Sequence, residues 1–294
     1  MKKYKLIFYL FLHLLILIVS APSYAYSQDL LYVRYIPSYL YYQDLMVAAL
    51  DTTVGEYGPY VLAPDTDAFP TLRVLREVER GKLINVFAGP ALTDIVTSEI
   101  ITVPIPISKG MSSYRIMIIR DGDQARFDTI NTFEALKEVV LGQMYGWKDV
   151  KIYRENGFTV MDTQSFDSLI AMLLMGRIDG IPIGADLIDY FLEDYAEGIS
   201  GLAIERELVM HYPFPYFFFV SENEPVLAER LQLGLESIYA SGEMDEVFRR
   251  HRQKTLNKLQ LSQRRVYLLN NPYLSKRVPL QHQELWQAPS LNVP

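Results

Sequence analysis

The chain has 294 residues, half of them hydrophobic, and a formal net charge of −7. This length is sufficient for one large domain or two lobes with their own cores. The absence of cysteine excludes disulfides, thiol chemistry and a lipid-modified N-terminal cysteine. The acidic balance disfavours phosphate backbones and anionic lipid, so we expect no nucleic acid partner.

The N-terminus has the pattern of a secretory signal peptide. Three lysines among the first five residues precede an apolar run over residues 6–19, and small residues lie at the −3 and −1 positions of a cleavage site after Ala25. The apolar run is shorter than the roughly 20 residues of a membrane span. We therefore predict a cleaved signal peptide over residues 1–25 and an exported chain, with an uncleaved membrane anchor as the alternative.

Strand and helix patterns alternate through the first third of the mature chain. Runs rich in β-branched and aromatic residues predict strands, and apolar residues at helical spacing predict helices. The predicted elements are a strand over 30–37, a helix over 41–54, a strand over 60–65, a helix over 69–82 and a strand over 83–89. This alternation is typical of a parallel sheet with helices on both faces.

A second series of alternating elements follows two extended runs, at residues 101–110 and 113–123. Its predicted elements are a helix over 132–142 capped by Thr132, a helix over 146–158, a strand over 158–162, a helix from Thr163 or Ser165 to Gly176, a buried strand over 178–184 and a helix over 185–198. An aromatic extended run over 211–220 and a helix from Pro225 complete the pattern. The sequence thus predicts two βα series that are linked by two extended crossings.

Three segments resemble a known family. FDSLIAMLLMGRIDGIPIG (166–184) is similar to the helix–Gly-Arg-x-Asp–strand unit of bacterial periplasmic solute-binding proteins of family 3, the two-lobed type that binds amino acids. YFFFVSENEPVLAERLQLGLESIYASGEMDEVFRRH (216–251) resembles the hinge strand and closing helices of that family, and TFEALKEVVLG (132–142) resembles the entry into its second lobe.

The resemblance implies an α/β, type II periplasmic-binding-protein-like fold, in which each lobe is a mostly parallel sheet flanked by helices and two hinge crossings join the lobes. The expected division is lobe 1 over 26–115, lobe 2 over 116–213, a helical return to lobe 1 over 214–262 and a C-terminal extension over 263–294 that packs on lobe 1. It also implies a monomer in the periplasm.

The chain departs from the family at both amino-acid anchors. In members that bind α-amino acids, an arginine in a Thr-x-x-Arg stretch holds the carboxylate, but residues 91–107 contain no arginine. Those members hold the ammonium group with a carboxylate directly after the Gly-Arg-x-Asp strand, where this chain has Gly184, with Asp186 as the nearest acid. Without these charge-assisted contacts, a standard α-amino acid is not the expected ligand.

Candidate ligand-binding residues follow from their positions at the expected cleft. Gly184 and Ala185 lie at the carboxyl end of a buried strand, where doubly wound sheets bind ligands. Tyr39, Tyr41 and Tyr42 occupy the first strand-to-helix connection, and we select Tyr42 as a ligand contact, although packing of the helix start is the alternative.

The segment 141–147 is expected to form a loop before a helix of the second lobe. Gly142 and Gly146 would let backbone amides approach a ligand, or serve only as turn glycines. The remaining candidates share a polar or stacking side chain near a crossing or this loop: Lys109, Arg115, Gln143, Tyr145 and Trp147.

Other polar groups are assigned structural roles. Arg177 follows the end of a helix, where a cation complements the macrodipole, and Tyr212 and Tyr216 are expected to pack at the returning crossing. The basic stretch 249–265 could dock a partner, although a solvated helix is the simpler interpretation.

The sequence contains no catalytic motif, no clustered metal ligands and no phosphate-binding loop, so we expect neither an enzyme nor a cofactor or metal. The favoured function is capture of a small polar molecule between two lobes and its presentation to a membrane transporter permease. A periplasmic sensor subunit for a membrane signalling receptor is the alternative, and a small-molecule lyase or dehydratase on the same fold is a weaker one.

Overall fold

The computed structural model describes residues 30–35, 39–65, 71–195 and 199–277. The predicted signal peptide, residues 1–25, lies outside these ranges. Within them, no helix combines the length and the apolar character that a bilayer crossing requires.

The first lobe begins with alternating strands and helices. Its elements are β1 (Leu31–Tyr35), α1 (Leu40–Thr52), α2 (Val54–Tyr57), β2 (Tyr60–Pro64), α3 (Thr71–Arg80), β3 (Val86–Pro90) and β4 (Ile100–Thr102). A short 3-10 turn at Met111–Ser113 then leads into the second lobe.

The second lobe contains the longest continuous part of the chain. Its elements are β5 (Tyr114–Arg120), α4 (Gln124–Asp128), α5 (Phe133–Lys137), β6 (Leu141–Met144), α6 (Asp149–Glu155), β7 (Val160–Thr163), α7 (Phe166–Leu174), β8 (Gly180–Gly184), α8 (Ile188–Tyr195), β9 (Leu202–Ile204) and β10 (Leu208–His211). The chain then forms β11 (Tyr216–Ser221), α9 (Pro225–Ser241), α10 (Glu243–Leu259) and β12 (Arg265–Leu268).

Two separate sheets organise these elements. The first is five-stranded, in the order β2-β1-β3-β11-β4, and the second is seven-stranded, in the order β12-β10-β5-β8-β6-β7, with β9 also paired to β5. The βα strands pair in parallel. The crossing strands β5 and β11 are antiparallel to their neighbours. Each sheet is therefore mixed, with parallel pairing where helices connect the strands.

Apolar periodicity positions the helices that support the site. The residues of α1 on its inner face are buried: Tyr41, Tyr42, Leu45, Met46, Ala49 and Leu50. This face packs on α9, where Gly234 allows close approach, since a Cβ there would lie 2.0 Å from the Ala49 carbonyl oxygen. In α7, the Ser165 hydroxyl accepts a hydrogen bond from the Ser168 amide at 3.2 Å, the N-cap that the sequence offers.

One predicted helix and one predicted loop are wrong. The helix expected over 132–142 ends at Lys137, although Thr132 caps it by accepting a hydrogen bond from Ala135 N at 3.1 Å. Residues 141–144, expected in a loop, form β6 between β7 and β8. The reason is tertiary pairing, because Leu141 is aligned with Val160 on one side and Gly180 on the other.

The C-terminal extension does not pack on lobe 1 alone. We call residues 260–277 the C-terminal strap. Its strand β12 pairs in parallel with β10 in the sheet of the second lobe. The strap then returns to the first lobe, where Leu274 forms a bridge with Leu92 and Ser275 N donates to the Ala91 carbonyl at 2.9 Å. The lobes are therefore joined by the strap in addition to the two crossings.

The last helix explains why the strap starts in the second lobe. Near its middle, α10 binds the first lobe through His251, whose Nε2 lies 2.8 Å from Asp44 Oδ2. Near its end, Thr255 and Lys258 both bind Asp189 of the second lobe. The predicted basic stretch 249–265 thus contributes several of its polar groups to contacts within the chain.

Arg264 anchors the strap. Its side chain is 3% exposed, and Nε donates to the Leu259 carbonyl at 2.7 Å while Nη1 donates to those of Glu205 and Leu208 at 2.6 and 3.1 Å. Because Glu205 is also fully buried, we expect Arg264→Ala to lower the free energy of unfolding by about 3 kcal/mol. Urea unfolding would measure this loss.

The matched control is Arg249→Ala, which removes an exposed arginine of the same basic stretch and should change stability by less than about 0.5 kcal/mol. Equal, small effects of the two substitutions would show that Arg264 does not anchor the strap.

Candidate functional site

A cavity of about 340 Å³ lies between the two sheets. The first lobe contributes the end of β3, from Phe87 to Pro90. The second lobe contributes the end of β8 and the turn after it, with Gly184, Asp186 and Leu187. Residues 146–149 and the returning crossing, with Phe214 and Tyr216, complete the wall. The cavity is thus at the carboxyl ends of strands from both lobes, where backbone groups face outward and α/β folds bind ligands.

An ion pair lies at one side of the cavity. Arg115, at the start of β5, is 5% exposed, and its Nε lies 2.8 Å from Asp149 Oδ1. The same Nε donates to the Tyr212 hydroxyl at 2.7 Å, and the Tyr212 hydroxyl donates to Asp149. The guanidinium also lies 4.5 Å from the centre of the Phe214 ring, a cation–π distance.

This pair fixes the charge state of Arg115. Burial acts to lower the pKa of Arg115, but Asp149 and the Tyr212 hydroxyl outweigh it and hold the pKa well above its usual value. Arg115 is therefore a permanent cation whose charge is balanced by an acid of the same chain.

Asp186 is the second acidic group at the cavity. It is 4% exposed, and its Oδ2 accepts hydrogen bonds from the Ser112 hydroxyl at 2.6 Å and from the Tyr42 hydroxyl at 3.3 Å. Its other oxygen, Oδ1, is buried and has no hydrogen-bond partner among the described residues. Among the residues that the structure describes, Asp186 forms no ion pair.

The carboxylate of Asp186 lies over Gly184. A Cβ placed on Gly184 would come within 2.6 Å of Asp186 Oδ1 and 2.9 Å of Arg115 Nη1. The glycine is therefore required for the polar groups to approach the backbone at the end of β8.

Two stacked tyrosines lie behind the carboxylate of Asp186. The rings of Tyr42 and Tyr216 are parallel, with centres 5.6 Å apart. Burial, followed by the negative charge of Asp186, raises the pKa of both hydroxyls well above the usual value. Both phenols therefore stay protonated and remain hydrogen-bond donors at physiological pH.

Contacts across the cavity mouth join the two lobes. Lys148, before α6 of the second lobe, pairs with Asp94 of the first lobe. Tyr39 of the first lobe packs edge to face on Tyr190 of α8, with ring centres 5.0 Å apart. The structure thus has the lobes closed on the cavity.

Comparisons with known proteins identify the fold. No family profile and no curated protein matches the chain. Among solved structures, an ancestral arginine-binding protein bound to arginine is 18% identical, with a TM-score of 0.53, over 76% of this chain and 97% of that one. The ligand-binding core of GluR0 with L-glutamate is 14% identical, with a TM-score of 0.56, over 76% and 99%.

A third similar structure is an amino acid ABC transporter substrate-binding protein from Streptococcus pneumoniae bound to L-arginine. It is 16% identical, with a TM-score of 0.53, over 78% of this chain and 97% of that one. The chain has the type II periplasmic binding protein fold. The α/β, two-lobed fold class expected from the sequence is thereby confirmed.

Four of the residues proposed from the sequence are in or behind the wall of this type II cleft. Arg115, Trp147 and Gly184 line the cavity, and Tyr42 lies behind Asp186 as a hydrogen-bond donor. The charge of Arg115 is already balanced by Asp149.

The other three proposed residues do not line the cavity. Lys109 pairs with Asp245 of α10, and Tyr145 is 65% exposed. Gln143 is fully buried in β6, where its amide donates to the Pro182 carbonyl at 2.8 Å. It lies there because residues 141–144 form a strand and not the expected loop.

The structure also shows the positions of the other glycines and tyrosines that the sequence analysis discussed near the cleft. Gly146 lines the cavity, whereas Gly142 packs against Ile178, whose Cδ1 would lie 2.2 Å from an added Cβ. The Tyr41 hydroxyl donates to the Ile107 carbonyl at 2.6 Å. Tyr216, expected to pack at the crossing, lines the cavity.

Sequence reasoning missed Asp149 and Phe214, and it named Asp186 only as the acid nearest to Gly184. A signal was available for Asp186, because an acid two residues after a buried strand lies at the expected cleft. The pairing of Asp149 with Arg115 joins positions 34 residues apart, so no pattern in the local sequence could predict it.

We expect Arg115→Met to lower the free energy of unfolding by about 3 kcal/mol, because it leaves Asp149 without its cation while keeping most of the side-chain volume. Arg177→Met, at an exposed arginine, is the control and should be close to neutral. Chemical denaturation of both variants measures the difference. A neutral effect of Arg115→Met would mean that the ion pair does not stabilise the site.

Proposed function

We propose that this protein captures a small polar solute between its two lobes and presents the closed complex to a membrane partner. The observation that carries the proposal is the cavity, whose wall comes from both lobes and from the returning crossing. A ligand that touches both lobes at once stabilises the closed form relative to the open one.

The contacts at the cavity mouth fit this mechanism. The Lys148–Asp94 pair and the Tyr39–Tyr190 contact both join the lobes and would break when the lobes separate. Lys148 is 20% exposed and Asp94 is 46% exposed, so the pair is solvated and weak. A weak pair suits a mouth that opens and closes, since closure then depends on the ligand.

A membrane transporter permease is the partner we favour. The predicted signal peptide over residues 1–25 supports an exported, periplasmic protein, and one of the similar structures is named as an ABC transporter substrate-binding protein. The departures at Gly184 and over residues 91–107 support a ligand other than a standard α-amino acid. We propose that the protein acts as a monomer, as the resemblance implies.

A sensor subunit for a signalling receptor is the second candidate. It is favoured by the similarity to the GluR0 ligand-binding core, with a TM-score of 0.56. The two roles share the capture step and differ in the membrane partner. Co-purification of the mature protein with solubilised membranes would distinguish them by recovering either a permease with its ATPase or a receptor.

Capture predicts a specific cross-linking result. The chain has no cysteine, so Asp94→Cys with Lys148→Cys provides the only thiols, one on each lobe. A short bis-maleimide cross-linker applied to ligand-free protein should abolish binding, because it keeps the lobes closed. Applied after ligand is bound, it should trap the ligand through gel filtration.

The control joins two positions that also form an ion pair but do not line the cavity. Lys109→Cys with Asp245→Cys should bind and release ligand normally after cross-linking. Ligand entry that is unaffected by the first cross-link would contradict capture by closure. Binding itself is measured by thermal shift against amino acids, amines, sugars and organic acids, where a ligand at a hundredfold excess over its Kd adds about 2.7 kcal/mol to stability.

A further inference from the structure

One charged group of the described cavity wall has no ion-pair partner. Four of the described lining residues are charged: Arg115, Lys148, Asp149 and Asp186. Arg115 is paired with Asp149, and Lys148 is paired with Asp94, which lies outside the lining. Asp186 is left, and within the described part of the chain no cation pairs with it.

Hydrogen bonds from the protein fix one oxygen of Asp186. Its Oδ2 accepts from two hydroxyl donors, Ser112 at 2.6 Å and Tyr42 at 3.3 Å. These two donors hold the carboxyl group in its position at the cavity wall.

The other oxygen of the carboxylate is unused. Asp186 Oδ1 is buried without a hydrogen-bond partner in the part of the chain that the structure describes, and leaving a buried acceptor unpaired is unfavourable. A buried unsatisfied group of this kind needs an explanation, and a ligand that supplies the missing donor is one. Because Asp186 lines the cavity, such a ligand would reach it from there.

The surroundings favour an organic cation over a metal ion or a sugar. Six of the described wall residues are aromatic: Tyr39, Phe87, Trp147, Phe191, Phe214 and Tyr216. Aromatic rings attract organic cations and supply an apolar surface for the rest of the molecule. Among the described residues, no cluster of three or more histidine or acidic side chains could hold a metal ion.

Both cations of the described cavity wall already have acidic partners, Arg115 in Asp149 and Lys148 in Asp94. Arg115 Nε also donates to the Tyr212 hydroxyl, and its Nη1 donates to the Ser112 carbonyl. A ligand carboxylate would compete with Asp149 or Asp94 for these cations, and it would lie near the unpaired charge of Asp186. A ligand that carries a carboxylate is therefore disfavoured by like charge and by competition.

We propose that the cavity binds a small organic cation with one ammonium group, an apolar body and no carboxylate, and that the ammonium group donates to Asp186 Oδ1. This inference rests on the proposed capture function and specifies its ligand class. It also accounts for the glycine at position 184, which leaves the space that the carboxylate occupies.

Two series of compounds with shared carbon skeletons test the charge class. Each contains an amine, the corresponding amino acid and the corresponding acid: phenethylamine, phenylalanine and hydrocinnamate, and isoamylamine, leucine and isocaproate. Calorimetric titration of the mature protein should show that at least one amine binds more tightly than its amino acid and acid. Tighter binding of the amino acid or the acid in both series would overturn the proposal.

Asp186→Asn tests the residue, because it removes the charge and keeps the shape. We expect amine affinity to fall about 30-fold or more, as for loss of one partner of a buried charge pair. Thermal unfolding of the ligand-free variant should be unchanged or shifted upward, since an unpaired buried charge is removed. Undiminished amine binding, or a large downward shift, would show that Asp186 serves the fold instead.

Asp245→Asn is the charge-matched control, because Asp245 is 54% exposed, pairs with Lys109 and does not line the cavity. It should leave amine affinity unchanged. If no compound of either series binds, the cation assignment is contradicted. The cross-linking experiment, with whatever metabolite class gives a thermal shift, decides separately whether the lobes capture a solute.

Discussion

The buried ion pair between Arg115 and Asp149 is the interaction on which the site depends. It joins the first strand after the crossing to the helix that follows β6, and the Tyr212 hydroxyl, at the other crossing, bonds to both members. The pair therefore ties both crossings to the wall of the cavity. It also engages the one guanidinium of the described cavity wall, so an anion that binds Arg115 must compete with a buried carboxylate. Asp186 is consequently the charged group of that wall without an ion-pair partner among the described residues.

The C-terminal strap adds a constraint on motion that two crossings alone would not impose. β12 extends the sheet of the second lobe, and Leu274 returns the chain to the first lobe beside Leu92. A rotation of the lobes about the two crossings must therefore be accommodated by the strap, either within its turn at residues 269–273 or by loss of the bridge at Leu274. The strap is attached most firmly to the second lobe, through four aligned residue pairs and buried Arg264. The weaker end, with a single isolated bridge, is on the first lobe.

Much of the fold was predictable because its determinants are local. The apolar stripe from Tyr41 to Leu50 identifies α1. The N-cap at Ser165 and the glycine at 176 mark the two ends of α7. The continuous apolar run at 180–184 identifies a strand buried on both faces. The failures share a cause. Strand β6 is four residues long and includes a glycine, and only its partners on both sides make it a strand. The position of β12 depends on where α10 ends relative to the second lobe, and that placement is set by contacts with Asp189 rather than by the sequence of the strap.

The site was predictable in position and less so in chemistry, and the pair of Gly184 and Asp186 shows why. The sequence marks the end of β8 as part of a cleft, and it shows that the acid expected at that position is absent. Only the structure shows that the carboxylate two residues later folds back over the glycine, where a Cβ would lie 2.6 Å from its oxygen. A side chain at position 184 and this conformation of Asp186 are therefore mutually exclusive. The glycine at 184 is thus the condition for the carboxylate of Asp186 to take this position at the cavity wall.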